Sequence, residues 1–296
     1  MTLHFDRIRQ NAGFGQVVKQ SEKQPNLDNL LHPIAQHAAL AHALNQFMAA
    51  GVQVFSLGSL MCETFERMSI ANIEAQMVLL PYNTFYLHMP TTTLTMARQK
   101  DGERVPVEGT YVHKLTSGDW LICVIAHADK DALFAFCWPQ TKWVSSQLSF
   151  EEFIDEHYVS FEQEQHELPT QMITMIMHTC LYLSSEGAQT EDAAPNTFER
   201  LQRKANKAKG SRLARLQEQM LEVTCVNKSV LAPDLEQMAA LLDDEQRALH
   251  RAHMVRAHWK RQRYGEGRKK VKTIMVMPYI RGEGELNDET RIYTLN

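Results

Sequence analysis

Between Gly109 and Trp138 the chain reads as three apolar runs, GTYVHKL, WLICVIAHA and ALFAFCW, broken only by TSGD and DKD. β-branched and aromatic side chains dominate the runs, and these suit a pleated, buried surface better than a helix. Short polar breaks rich in Gly and Asp have hairpin lengths and leave no room for a crossover helix. The runs therefore predict neighbouring antiparallel strands in a meander. The preceding NTFYLHMPTTTLTM has the same character and predicts a further strand.

Helical patterns flank this block. From Pro33 the Ala- and Leu-rich run IAQHAALAHALNQFMAAG predicts a helix that stops at Gly51. FSLGSLMCETFERMSIANIEAQMV predicts a helical pair, ended by Pro81. In SFEEFIDEHYVSFEQEQ, Ser149 is placed to cap a helix whose first turn is acidic. TQMITMIMHTCLYLSS is apolar nearly all round and predicts a buried helix, with His178 hydrogen-bonded inside it. Residues 186–196 are polar, with Gly and Pro, and read as a surface linker; Phe198 to Gln219 reads as a basic helix. VTCVNKSVLAP opens a short strand, Leu235 to Ala252 reads as a helix with acids early and bases late, and KTIMVMPYI closes as a strand. The expected fold is α+β, an antiparallel sheet with packed helices and a C-terminal basic β-hairpin. Residues 1–30 are expected to be a flexible N-terminus, and 31–296 one domain with a polar and basic insert at about 186–219.

Composition narrows the class. A hydrophobic content of 44% is enough for a core, and the longest apolar runs are far too short to span a bilayer. MTLHFDRIRQ holds no apolar stretch of signal-peptide type. Cys62, Cys123, Cys137, Cys180 and Cys225 are odd in number and widely spaced, which suits neither a disulfide framework nor a CxxC metal site. They read as small buried hydrophobes of a reduced, cytoplasmic protein without membrane association.

The charge is unevenly placed. Arg247 to Lys272 contains ten Lys or Arg against Glu266 alone, and Arg200 to Arg215 contains seven and no acid. With a total of −4, the rest of the chain carries −20. An acidic body with two basic segments suggests a local polyanion contact, or basic segments that cover acidic faces of the same chain. In the second segment, MVRAHWKRQRY and KKVKTIMVMPYI flank GEG, the pattern of a hairpin in which Gly265 and Gly267 supply positive φ. Strand alternation places Arg256, His258, Lys260 and Gln262 on one face, and Val255, Ala257, Trp259, Arg261 and Arg263 on the other. Trp259 is expected to anchor the hairpin to the core. Arg256, His258, Lys260, Arg261, Arg263, Tyr264, Arg268, Lys269 and Lys270 form the candidate nucleic-acid-binding set, with phosphate contacts from the bases and stacking from the aromatics.

Enzymatic chemistry has a weaker footing. His253 and His258 titrate near neutrality and could act as acid and base of a metal-independent ribonuclease, but their spacing is not diagnostic. Neighbouring positive charge disfavours a bound cation. His37 and His42 are five residues apart, so the zinc pair of a metalloprotease helix is absent, as are GxxxxGK[ST], GxGxxG and GxSxG. No catalytic residue, metal ligand or cofactor is assigned.

VRAHWKRQRYGEG followed by VKTIMVMPYIRG resembles the C-terminal pattern of phage- and plasmid-borne proteins, among them the type V anti-CRISPR family that suppresses production of the effector nuclease. VLLPYNTFYLHM is similar to that family's leucine-proline-aromatic strand, and QMITMIMHTCLYLSSE to its buried helix before a polar insert. The resemblance implies recognition of the N-terminal nascent peptide of a target, such as a type V CRISPR effector, followed by degradation of its mRNA. It implies no residue for peptide binding. In that setting the basic hairpin would meet RNA or the ribosome. A general RNA- or DNA-binding accessory protein of a mobile element is the other binding reading.

Overall fold

The computed structural model describes residues 4–5, 30, 32–70, 73–97, 102–126, 133–158, 163–185, 188, 190–193, 196–205, 207–210, 212, 215–216, 219, 228–231, 253–255, 257–276 and 279–281. The sequence meander is its centre: β4 (Arg104–Lys114), β5 (Trp120–Ala126) and β6 (Leu133–Trp138) pair antiparallel in that order. The TSGD turn closes through the amide of Leu115 on the carbonyl of Asp119, with Gly118 at φ 93°. DKD lies outside the described residues. NTFYLHMPTTTLTM supplies two strands, β2 (Thr84–His88) and β3 (Thr95–Ala97), each antiparallel to β4.

The rest of the sheet departs from expectation. FSLG does not begin a helix: Val54–Leu57 forms β1, and only Ser59–Arg67 continues as a helix, α2, with a 3₁₀ turn at Ala75–Met77. All residues of β1 are buried, and it pairs parallel to β2 on one side and to β8 (Lys228–Leu231) on the other. A strand buried on both faces has no polar alternation to betray it. Within the polar linker, Thr190–Ala193 forms β7 and pairs antiparallel to β8, so backbone pairing there overrides poor strand propensity. The order is β6-β5-β4-β2-β1-β8-β7, mostly antiparallel, with β3 beside β4.

Alternation along β4 and β5 divides the core between two faces. Val112, Ile122 and Val124 point into the larger core, with Phe65 of α2 and Ile176 of α5 (Gln163–Ser184). Tyr111, Leu121, Cys123 and Ile125 point the other way, against Phe47 of α1 (Pro33–Ala49). The sheet is thus the middle of three layers, as an α+β chain requires to cover both faces. Helix α1 starts with Pro33 under a His32 cap and ends before Gly51 at φ 85°. Between β6 and α5 lie α3 (Gln140–Ser146) and α4 (Phe150–Tyr158). Ser149 and Glu152 form a reciprocal capping box at the start of α4. Helix α6 (Asn196–Ala205) covers the start of the basic run, which turns at Gly210 with φ 59° and is not one continuous helix. Leu235 to Ala252 lies outside the described residues.

Toward the C-terminus, β10 (His258–Tyr264) and β11 (Lys270–Val276) form the expected hairpin. It stands separately from β9 (His253–Val255) and β12 (Tyr279–Arg281), which pair with each other as a second ladder. The expected single ladder is therefore interrupted, with Ala257 between its parts on one strand. Met277 and Pro278 separate the parts on the other strand in sequence, and proline has no N–H to donate to a ladder. Among the described residues, no helix is long and apolar enough to cross a membrane.

Candidate functional site

The hairpin presents two chemically different faces. Register places Trp259, Arg261 and Arg263 of β10 opposite Met275, Thr273 and Val271 of β11. Opposite residues in an antiparallel ladder share a face. Trp259 and Met275 pack against the larger core, so this is the inner face at its base. The Trp259 Nε1–H donates to His178 Nδ1 at 2.8 Å, across 81 residues of sequence. His178 also stacks on Phe65, with ring centroids 5.0 Å apart, and lies nearly parallel to Trp259 at 6.0 Å. Because Nδ1 accepts, neutral His178 carries its proton on Nε2. Burial pushes its pKa down to about 4, opposed by the Met68 backbone. One strand pitch further out, the Arg261 guanidinium pairs with Glu74 beside the 3₁₀ turn.

The outer face carries His258, Lys260, Gln262 and Tyr264 opposite Val276, Ile274, Lys272 and Lys270. Lys260, Tyr264 and Lys270 are exposed, and the Lys272 ammonium lies 5.2 Å from the centre of the Tyr264 ring. The tip has Gly265 at φ 77° and Gly267 at φ 65°, followed by Arg268 at φ 55°. A single 3₁₀ turn spans Glu266–Arg268, yet Tyr264 and Lys270 still pair across it. Arg268 and Lys269 are exposed there.

The structure therefore sorts the sequence-derived set. Lys260, Tyr264, Arg268, Lys269 and Lys270 form an exposed outer rim. Arg261 and Arg263 lie on the opposite face, and Arg261 is held by Glu74. His258 is half-buried at the base of the outer face. Arg256 and the side chain of His253 lie outside what is described. Glu74 was missed by sequence reasoning, since one acid in IANIEAQM has no pattern that points 187 residues downstream.

Other candidate chemistry is limited. Among the described residues, no group of three or more His, Cys, Asp or Glu could hold a metal ion. Cys62 and Cys137 are raised by burial to about 11, and Cys123 and Cys180 are raised by complete burial, so these thiols are inert at neutral pH. His113 is lowered to about 4 by burial and by neighbouring His42. An open cleft of about 590 Å³ is lined by Glu66, Thr95, Arg104, Glu167 and Gln171, with none of the expected residues in it.

Residues 55–282 match the AcrVA2-like family, described as the anti-CRISPR type V subtype A2 family. The chain belongs to this family. The match runs from β1 through β12, and membership assigns the protein an anti-CRISPR, anti-defence role. The fold is also similar to the crystal structure of AcrVA2, with a TM-score of 0.51 and 13% identity over 94% of this chain and 99% of that one. No curated protein matches the sequence. The resemblance to a type V anti-CRISPR family is thereby upheld.

Proposed function

We propose that this AcrVA2-like protein acts on its target during synthesis: it recognises an N-terminal nascent peptide, with a type V CRISPR effector as the favoured target, and lowers expression by promoting loss of the mRNA. The hairpin supplies the contact with RNA or the ribosome. The observation that supports this reading is the outer rim of Lys260, Arg268, Lys269 and Lys270, exposed on a hairpin that Trp259 docks to the core. Exposed cations on a preorganised ladder can neutralise phosphates without first ordering the chain.

The test replaces Lys260, Arg268, Lys269 and Lys270 by Glu together. Circular dichroism should be unchanged, because exposed charges contribute little to stability. Co-sedimentation with ribosomes, and RNA binding with its steep salt dependence, should be lost. Retained association with an intact fold would return these residues to a solubilising role. A pull-down from cells with intact ribosomes should recover a specific nascent N-terminus together with its message. Recovery of RNA without a peptide would favour a general nucleic-acid-binding accessory protein. RNA cleavage by pure protein, abolished in His258→Ala, would make the chain a nuclease.

A further inference from the structure

Away from the core that holds Trp259, the smaller core borders a carboxylate with no solvent exposure. Glu108 is the extra residue of a bulge in β4, where the register with β5 shifts between Val107 and Gly109. A buried carboxylate is costly unless donors replace its water. Here the Tyr86 hydroxyl donates to it at 3.3 Å, and so does the backbone N–H of His4, more than a hundred residues away in sequence. Gly109 makes the approach possible: a Cβ there would lie 2.4 Å from the Leu87 carbonyl oxygen and 2.7 Å from the Tyr86 hydroxyl. The imidazole of His4 meets the Tyr111 hydroxyl at 3.1 Å. Phe5 is buried edge-on against Phe47, which itself packs edge-on to Tyr111.

The His4–Phe5 segment is thus held through a backbone donor on a buried carboxylate, an imidazole against the Tyr111 hydroxyl, and an aromatic ring in an aromatic wall. These contacts use groups that a separate peptide of the same sequence also carries. We propose that the Glu108 slot is a peptide-binding site and that His4–Phe5 is its resident, displaceable occupant. His4 and Phe5 are helical, so the ligand class is a short helical peptide segment that offers a backbone N–H to Glu108 and, at the next residue, an aromatic ring to Phe47. The assignment gives the proposed nascent-peptide reading a location and rests on that reading only for the identity of the competing peptide.

The experiment uses a synthetic MTLHFDRIRQ peptide, labelled with fluorescein at its C-terminus, and fluorescence anisotropy. A variant of the chain beginning after Phe5 should bind the probe saturably, and the full chain at least tenfold more weakly, because its own segment competes. Glu108→Gln in the shortened chain, or Phe5→Ala in the probe, should weaken binding roughly 10- to 100-fold, the worth of a donor to a buried charge or of a buried ring. If the shortened chain does not fold, full-length Phe5→Ala is used and should admit the unaltered probe. A folded protein that leaves the probe unbound, or binding indifferent to Glu108→Gln, overturns the slot. Because the probe is the chain's own sequence, a missing cellular target peptide would count against the proposed function while leaving the slot standing.

Discussion

The body of the sheet and the C-terminal hairpin are both antiparallel ladders, yet they are held in opposite ways. In the body, β4 and β5 bury side chains on both faces, and Tyr111, Val112, Leu121 and Ile122 have no exposed surface. In the hairpin, every residue from Lys260 to Val271 is exposed, and attachment depends on Ala257, Trp259 and Met275 at the base with Arg261–Glu74 farther out. The body is stabilised by area removed from water; the hairpin is positioned by a few directional contacts. Stability and placement are therefore separable, and mutations should divide along that line.

The largest effect is expected in the body. Phe85→Ala removes a fully buried ring and should cost about 3–5 kcal/mol, a fall in Tm on the order of 10 °C by calorimetry. Comparable loss from Trp259→Ala would show that the hairpin belongs to the same cooperative unit; the expected result is a smaller global loss with faster hydrogen exchange confined to residues 258–264.

Acid should affect both regions through His178. Its folded pKa of about 4 is below the ordinary 6.5, so the native state holds it neutral. Its contribution is fully present above about pH 6.5, declines as pH falls toward 4, and amounts at most to about 3 kcal/mol. Urea midpoints between pH 7.5 and 4 test the sign. A protonated Nδ1 no longer accepts from Trp259, so amides of β10 should lose protection at a higher pH than those of β4. Simultaneous loss in the two ladders would erase the proposed separation.

Trp259→Phe sharpens the same comparison by keeping an aromatic ring and deleting the N–H. Leaving His178 Nδ1 unpaired should cost about 1–3 kcal/mol, read as a lower urea midpoint. Smallest is Arg261→Ala. Both members of that pair are about half exposed, so the stability change should stay below about 1 kcal/mol and vanish in high salt.

The sequence made some of this legible. The runs around Thr110, Ile122 and Phe134 carried strand propensity, Ser149 with Glu152 carried a cap, and the Gly265–Gly267 spacing carried the hairpin. Trp259, read as the hairpin's anchor, is half-buried at its base and donates to His178. What failed was whatever depends on a distant partner. Val54–Leu57 looks like the start of a helix because its two flanking strands come from elsewhere in the chain. TEDA has no reason to be a strand until β8 lies beside it. Likewise, a single acid reveals neither the Arg261 pair of Glu74 nor the burial of Glu108. The one local hint at the latter was VEGTYV, where Glu-Gly interrupts a β-rich run as bulges do.

The place of β1 in the middle of the sheet has a temporal consequence. Its second neighbour, β8, is about 170 residues later in the chain. At an elongation rate of roughly 5–20 residues per second, the interval between making the two strands is on the order of ten to thirty seconds. The meander of β4, β5 and β6 pairs only near neighbours and can close early, whereas β1 must wait with one edge unsatisfied until β8 emerges. A protein of this topology matures late relative to its own synthesis, and its slowest folding step should track the sequence distance between β1 and β8 more than the strength of either strand.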